Sequence, residues 1–123
     1  MILVDTSVWV DHLRSGDPRL AQLLDTEQVL THPFVIGEIA LGLLPQRGRI
    51  LASLRYLPQV LVAAHEEVIA FIERHRLFGS GIGYVDAHLL AAIKLTAGTG
   101  LWTRDKSLRA AAERLALVAE PPR

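Results

Sequence analysis

The chain has no cysteine, which excludes disulfides and thiolate metal sites and is compatible with a reducing cytosol. It has no net charge either, because 13 basic and 13 acidic residues cancel. Domains that grip nucleic acid by bulk electrostatics usually carry a basic excess, so any such contact here falls to a local basic rim. Apolar runs are short, and none approaches the roughly 18 residues needed to span a bilayer. The opening ten residues lack the positive region of a signal peptide, and Asp5 interrupts them. The expectation is a cytoplasmic protein with no membrane contact. No linker, internal repeat or low-complexity segment divides the chain. Its 123 residues, half of them hydrophobic, suit one domain over residues 1–123 with a real core.

What is present is an alternation of short apolar runs and helical segments. Ile2-Leu3-Val4 is continuously apolar, as in a strand buried on both faces of a parallel sheet. Asp5-Thr6-Ser7 turns it into a helix, and Pro18 opens another through Leu24. Val29-Leu30-Thr31 is the second strand. Pro33 then begins an apolar helix ended by Pro45 and Gly48, and a further helix runs from Arg49 to Leu57. Val60-Leu61-Val62 is a third strand. Glu66 to Leu77 is an amphipathic helix with Val68, Ile69 and Ile72 inward. Gly79 to Gly83 form a loop before a strong helix from Tyr84 to Ala97. Leu101-Trp102-Thr103 is a fourth strand, Lys106 to Leu115 the last helix, and Leu117-Val118-Ala119 an edge strand before a frayed, Pro-rich end. Alternation of this kind predicts an α/β fold, a three-layer α/β/α sandwich around a central parallel sheet.

Four carboxylates stand out on this frame: Asp5, Glu38, Asp86 and Asp105. In open α/β sheets, ligands bind beyond the carboxyl ends of the strands, where strand order reverses. Asp5 follows the first strand directly, and Asp105 lies two residues past Thr103. Asp86 shares a helix face with Leu89, Leu90 and Ile93. Glu38 is the only charged residue from Phe34 to Leu44, so it is expected to be buried at a cost of several kcal/mol or more unless paired or metal-bound. All four can meet at one end of the sheet. Each except Glu38 also has a purely local role open to it: Asp5 and Asp105 as helix caps, Asp86 as a partner of the helix macrodipole. Glu38 sits mid-helix, where capping gives no account of it. A carboxylate-only cluster suits hard cations such as Mg²⁺ or Mn²⁺, which position phosphates and activate water in phosphodiester hydrolysis.

These segments are also recognisable. Ile2-Leu-Val-Asp5-Thr-Ser-Val-Trp9 resembles the first motif of PIN-domain nucleases, particularly the VapC toxins of bacterial toxin–antitoxin pairs. Glu38 within Val35-Ile-Gly-Glu-Ile-Ala-Leu-Gly42, and Asp86 within Tyr84-Val-Asp-Ala-His-Leu-Leu-Ala-Ala92, match the second and third acidic positions. Leu101-Trp-Thr-Arg-Asp-Lys-Ser-Leu108 resembles the closing segment. The likeness spans essentially the whole chain and implies a PIN-like fold with Mg²⁺- or Mn²⁺-dependent endoribonuclease activity on structured RNA, such as transfer or ribosomal RNA. It also implies a VapB-like antitoxin and a homodimer. Asp5, Glu38 and Asp86 would then be the core metal ligands, with Asp105 binding directly or through water and Ser7 and Thr103 as hydroxyl helpers. An arginine of the antitoxin would be drawn into so negative a pocket.

Other residues carry less. Arg104 and Lys106 flank Asp105 and are candidates to hold a phosphate, or form a solvated helix start. Arg47 and Arg49 could border a groove, and Arg74-His75-Arg76 reads as a solvated helix end. Trp9 could stack on a base, although core packing suits its neighbours better; Trp102 reads as core. The five histidines show no metal-ligand spacing, and none is assigned a catalytic role. Three further readings stay open: an aspartyl-nucleophile phosphatase, with Lys94 to balance charge; a partner-binding module without activity; and a nuclease of the same fold acting on other RNA or on DNA.

Overall fold

The computed structural model describes residues 1–119. Strand β1 (Ile2–Val4) lies at the centre of a parallel sheet of order β2-β1-β3, with β2 (Val29–Leu30) on one side and β3 (Gly100–Trp102) on the other. The register pairs Leu3 with Leu30 and with Leu101. Every residue of β1 is buried, as its unbroken apolar run requires of a central strand. The chain leaves β1 toward one edge and later returns to the other, so strand order reverses at β1 itself. The residue after it, Asp5, therefore stands at the switch point.

Helices α1 (Thr6–Ser15), α2 (Pro18–Asp25), α3 (Pro33–Ala40), α4 (Arg47–Tyr56), α5 (His65–His75), α6 (Tyr84–Leu95) and α7 (Lys106–Arg114) cover this small sheet. The result is the expected three-layer α/β/α sandwich. Its core joins Leu3 and Val4 to Val8, Leu20, Val35, Leu89 and Leu108, all almost wholly buried. The local signals worked as they should. Pro18 and Pro33 each open a helix, and Gly16, at φ 78°, closes α1 in a conformation that only glycine adopts freely. No described helix is long and apolar enough to cross a membrane.

Four expectations need correction. The segment Val60-Leu61-Val62 is not a strand. One parallel bridge joins Thr31 to Gln59, after which the Leu61 amide turns away to donate to Thr96 Oγ1 at 2.9 Å, leaving Leu61 and Val62 exposed. Likewise Leu117-Val118-Ala119 contributes a single bridge, Leu101 with Val118. Ile69 is exposed, whereas Val68 beside it is fully buried. Helix α3 also stops at Ala40, short of Pro45, where the Arg47 guanidinium donates to the freed Ala40 carbonyl at 2.8 and 3.2 Å. The frayed end beyond residue 119 lies outside the described residues.

Candidate active site at the switch point

Asp5 is buried, and three hydrogen bonds fall on one of its oxygens. Oδ2 accepts from Ser7 Oγ at 2.7 Å, from Thr103 Oγ1 at 2.7 Å, and from the Ser7 amide at 3.4 Å. The last of these makes Asp5 the N-cap of α1. The two hydroxyls are themselves held. The Arg104 amide donates to Ser7 Oγ at 3.0 Å, and the Asp105 amide donates to Thr103 Oγ1 at 3.0 Å. Both hydroxyl positions singled out in the sequence thus meet on Asp5, with Oδ1 left over.

The other three acids repeat this division of labour. Asp105 caps α7, its Oδ1 accepting from the Leu108 amide at 2.9 Å. Asp86 closes the first turn of α6, with Oδ2 accepting from the Gly83 amide at 3.1 Å. Glu38 Oε1 accepts from Thr6 Oγ1 at 2.8 Å. In each carboxylate one oxygen fixes the side chain to the fold and the second is free for a ligand. Capping and site-building are therefore compatible roles for the same residue.

Glu38 corrects the expectation of a buried charge. The inner face of α3 is Val35, Ile36 and Ile39, so Phe34, Glu38 and Leu41 share the outward face and Glu38 is exposed. An apolar neighbourhood in sequence was not an apolar neighbourhood in space. No cost of burial attaches to Glu38, and its place in the site rests on proximity to the other acids.

That proximity is felt at Asp86. Burial is the largest influence raising its pKa; the Gly83 amide opposes this, and the negative charges of Asp5, Asp105 and Glu38 raise it further. All four carboxylates thus act on one locus. Among the described residues none of them is in an ion pair; the pairs formed are Arg19–Asp17, Arg104–Asp11, Arg104–Asp17 and Arg109–Glu113. Among the described residues, no three acids or histidines are grouped so that they could by themselves hold a metal ion as they stand. The donor set nonetheless fits a hard cation: free carboxylate oxygens, unneutralised charge, and the open arrangement suited to an ion such as Mg²⁺, which keeps several of its waters.

Arg104, a candidate phosphate contact, is engaged with the fold. Its guanidinium bridges Asp11 on α1 and the buried Asp17 ahead of α2. Lys106 is exposed at the start of α7. The run Arg74-His75-Arg76 is joined by two distant cations: burial lowers the pKa of His75 most, followed by the charges of Lys94, Arg74 and Arg114. Trp9 and Trp102 are both core. Sequence reasoning missed Thr6, which orients Glu38 and was visible only as the middle of an Asp-Thr-Ser turn. It also missed the exposed rings of Phe34 and Tyr84, which lie four residues before Glu38 and two before Asp86.

A parallel α/β/α unit with unneutralised carboxylates at its switch point defines a candidate hydrolase of phosphate esters. The PIN domain family matches residues 2–114, and the chain belongs to that family. Ribonuclease VapC32 of Mycobacterium tuberculosis, found in two strains, is 51% identical over 111 residues, 90% of each chain. The likeness places this chain among the VapC-type members. The crystal structure of FitAcB from Neisseria gonorrhoeae shares the fold, with a TM-score of 0.59 and 24% identity over 92% of this chain and 94% of that one.

Proposed function

We propose that this chain is a Mg²⁺- or Mn²⁺-dependent endoribonuclease, the toxin of a VapBC-type pair, which hydrolyses phosphodiester bonds in structured RNA such as transfer or ribosomal RNA. The observation that carries the reading is the set of four carboxylates, each with one oxygen tethered and one free, in a chain half identical to Ribonuclease VapC32. Asp5, Glu38 and Asp86 would hold the ion, with Asp105 binding directly or through water. The ion would supply an activated water and a counter-charge for the phosphate oxygens.

The chain's own residues prepare that site. Ser7 and Thr103 fix the Asp5 carboxylate through Oδ2, which leaves Oδ1 as the oxygen to meet an ion. Thr6 holds Glu38, which would otherwise be a mobile exposed side chain, and the Gly83 and Leu108 amides hold Asp86 and Asp105. Such preorientation lowers the cost of ordering ligands when an ion arrives. The phosphatase alternative is not favoured, since Lys94 belongs to the cluster around His75 and position 7 holds a serine bonded to Asp5.

A VapB-like antitoxin would be the physiological brake, and an arginine from it would be attracted to the four carboxylates. A homodimer and a cytoplasmic site of action accompany the same reading. The test is incubation of the purified protein with total cellular RNA in Mn²⁺ or Mg²⁺, in EDTA, and as Asp5→Asn with metal. Discrete fragments that require metal and vanish in Asp5→Asn are expected. Intact RNA in every lane would overturn the activity, and fragments that persist in EDTA would overturn the metal dependence.

A further inference from the structure

The one tryptophan considered for base stacking, Trp9, is buried, but two other rings stand exposed beside the acids: Phe34 at 39% and Tyr84 at 43%. Phe34 precedes Glu38 by one helical turn on the outward face of α3, and Tyr84 begins α6 two residues before Asp86. Both lean edge-on against the buried ring of His88, each with its centroid 4.7 Å away. The phenol is pinned twice, with His88 Nε2 at 2.8 Å and His65 Nδ1 at 2.5 Å from its oxygen. His32 backs Phe34 at a centroid distance of 5.0 Å.

The arrangement is a platform supported from beneath. A phenol donates one hydrogen bond, so at least one of the two imidazoles donates to Tyr84, and the two contacts together hold the ring in place. What Tyr84 and Phe34 still offer to solvent is ring surface. Rings already held in place lose little side-chain freedom when a flat ligand settles on them. Two exposed rings with no cation beside them among the described residues give a phosphate nothing to bind; a nucleobase, uncharged and with a π-face, suits the position.

We propose that Phe34 and Tyr84 form a stacking seat for an unpaired nucleobase adjoining the bond that is cut. This deepens the ribonuclease reading and rests on it. It restricts cleavage to loops and single-stranded stretches, because a base inside a duplex is already stacked and paired.

The probe is a series of short single-stranded oligoribonucleotides carrying a fluorescent adenine analogue at each position in turn, titrated into Asp5→Asn protein. Quenching at one position is expected, with affinity falling roughly 5- to 100-fold in Phe34→Ala and Tyr84→Ala. Phe34→Trp and Tyr84→Phe, which keep a ring, should retain the quenching. Unchanged affinity and quenching in both alanine variants would overturn the seat. So would a change of oligomeric state in Phe34→Ala, which would assign the ring to a protein contact. Cleavage of total RNA by the wild-type chain, with KM unchanged in Phe34→Ala, would remove the seat and leave the ribonuclease standing. Ring-dependent quenching without any RNA cleavage by the wild-type chain would do the reverse.

Discussion

Thr103 and Asp5, 98 residues apart in the chain, are joined by a 2.7 Å hydrogen bond from the threonine hydroxyl to Oδ2. The bond links the ends of β3 and β1, and with Ser7 Oγ 3.3 Å away it locks the orientation of the carboxylate at the switch point. Thr103→Val keeps the shape but removes the donor. It should cost about 1 kcal/mol of stability and reduce metal-dependent RNA cleavage by at least about tenfold, the effect expected when a supporting partner of a metal ligand is lost. Thr103→Ser should restore most of both. Urea unfolding and cleavage rates on the three proteins check this, and full activity in Thr103→Val would show that Asp5 needs no such support.

Burial first, and the crowding of carboxylates after it, makes a negative charge at Asp86 costly in the metal-free protein. Because the pKa of Asp86 is raised, the folded chain binds more protons there than the unfolded chain as pH climbs above 3.8. Stability is therefore lost as pH rises through that window. Asp86→Asn removes the charge while keeping an oxygen for the Gly83 amide. It should raise the melting temperature of the metal-free protein by roughly a few degrees. Added Mg²⁺ or Mn²⁺ should then stabilise the wild type by mass action and the variant much less. Calorimetry with and without EDTA decides it; a variant less stable than the wild type without metal would refute the cost of that charge.

The strand at Ile2-Leu-Val, the reversal point after it and the proline-initiated helices were legible, because each rests on a local signal that packing did not override. Helix α3 was harder. It is apolar almost all round, so its composition could not reveal whether Val35, Ile36 and Ile39 or Phe34 and Leu41 face the core, and Glu38 was placed inside with its neighbours. Val60 to Val62 failed for a related reason. Three apolar residues suit a strand, yet only Val60 turns inward, and the Leu61 amide is claimed by Thr96 from another element. The support under Tyr84 is tertiary, reaching it from His65 on a different helix 19 residues away, and no spacing rule announces it.

His32 ties the stability of α3 to pH. Its Nδ1 accepts the Phe34 amide at 3.0 Å and so caps the helix that carries Glu38. Burial, with a smaller contribution from the charge of His88, lowers its pKa from 6.5 to about 4. Accepting at Nδ1 requires that nitrogen to be unprotonated, and the imidazolium would set one N–H against another. Between pH 6.5 and about 4 the unfolded chain binds the proton and the folded chain does not. The contribution is complete above pH 6.5 and fades as pH falls toward 4, by about 3 kcal/mol in all. His32→Asn keeps a capping acceptor that does not titrate. Its stability curve over this range should be flatter than that of the wild type, whatever its absolute level. Parallel curves in urea unfolding at pH 7, 6, 5 and 4 would disprove the linkage.

Two arginines close in sequence, one in the loop after β3 and one on α7, should differ sharply in what they contribute. Arg109 pairs with Glu113 one turn along the exposed side of α7, an arrangement worth less than about 0.5 kcal/mol. Arg104 instead bridges Asp11 and the buried Asp17, tying the loop after β3 to α1 and to the start of α2. Its loss strands a buried carboxylate, although Asp17 keeps Arg19 and the Arg19 and Leu20 amides. Those remaining partners hold the expected cost of Arg104→Ala to about 1–2 kcal/mol, below that of an unaided buried charge. Arg109→Ala should change unfolding within error. Arg104 also lies between Thr103 and Asp105, so a shift of this loop reaches the site: cleavage should fall in Arg104→Ala and not in Arg109→Ala. Equal stability losses in the two variants, measured by urea unfolding in low salt, would show that the bridge to Asp17 contributes no more than a surface pair.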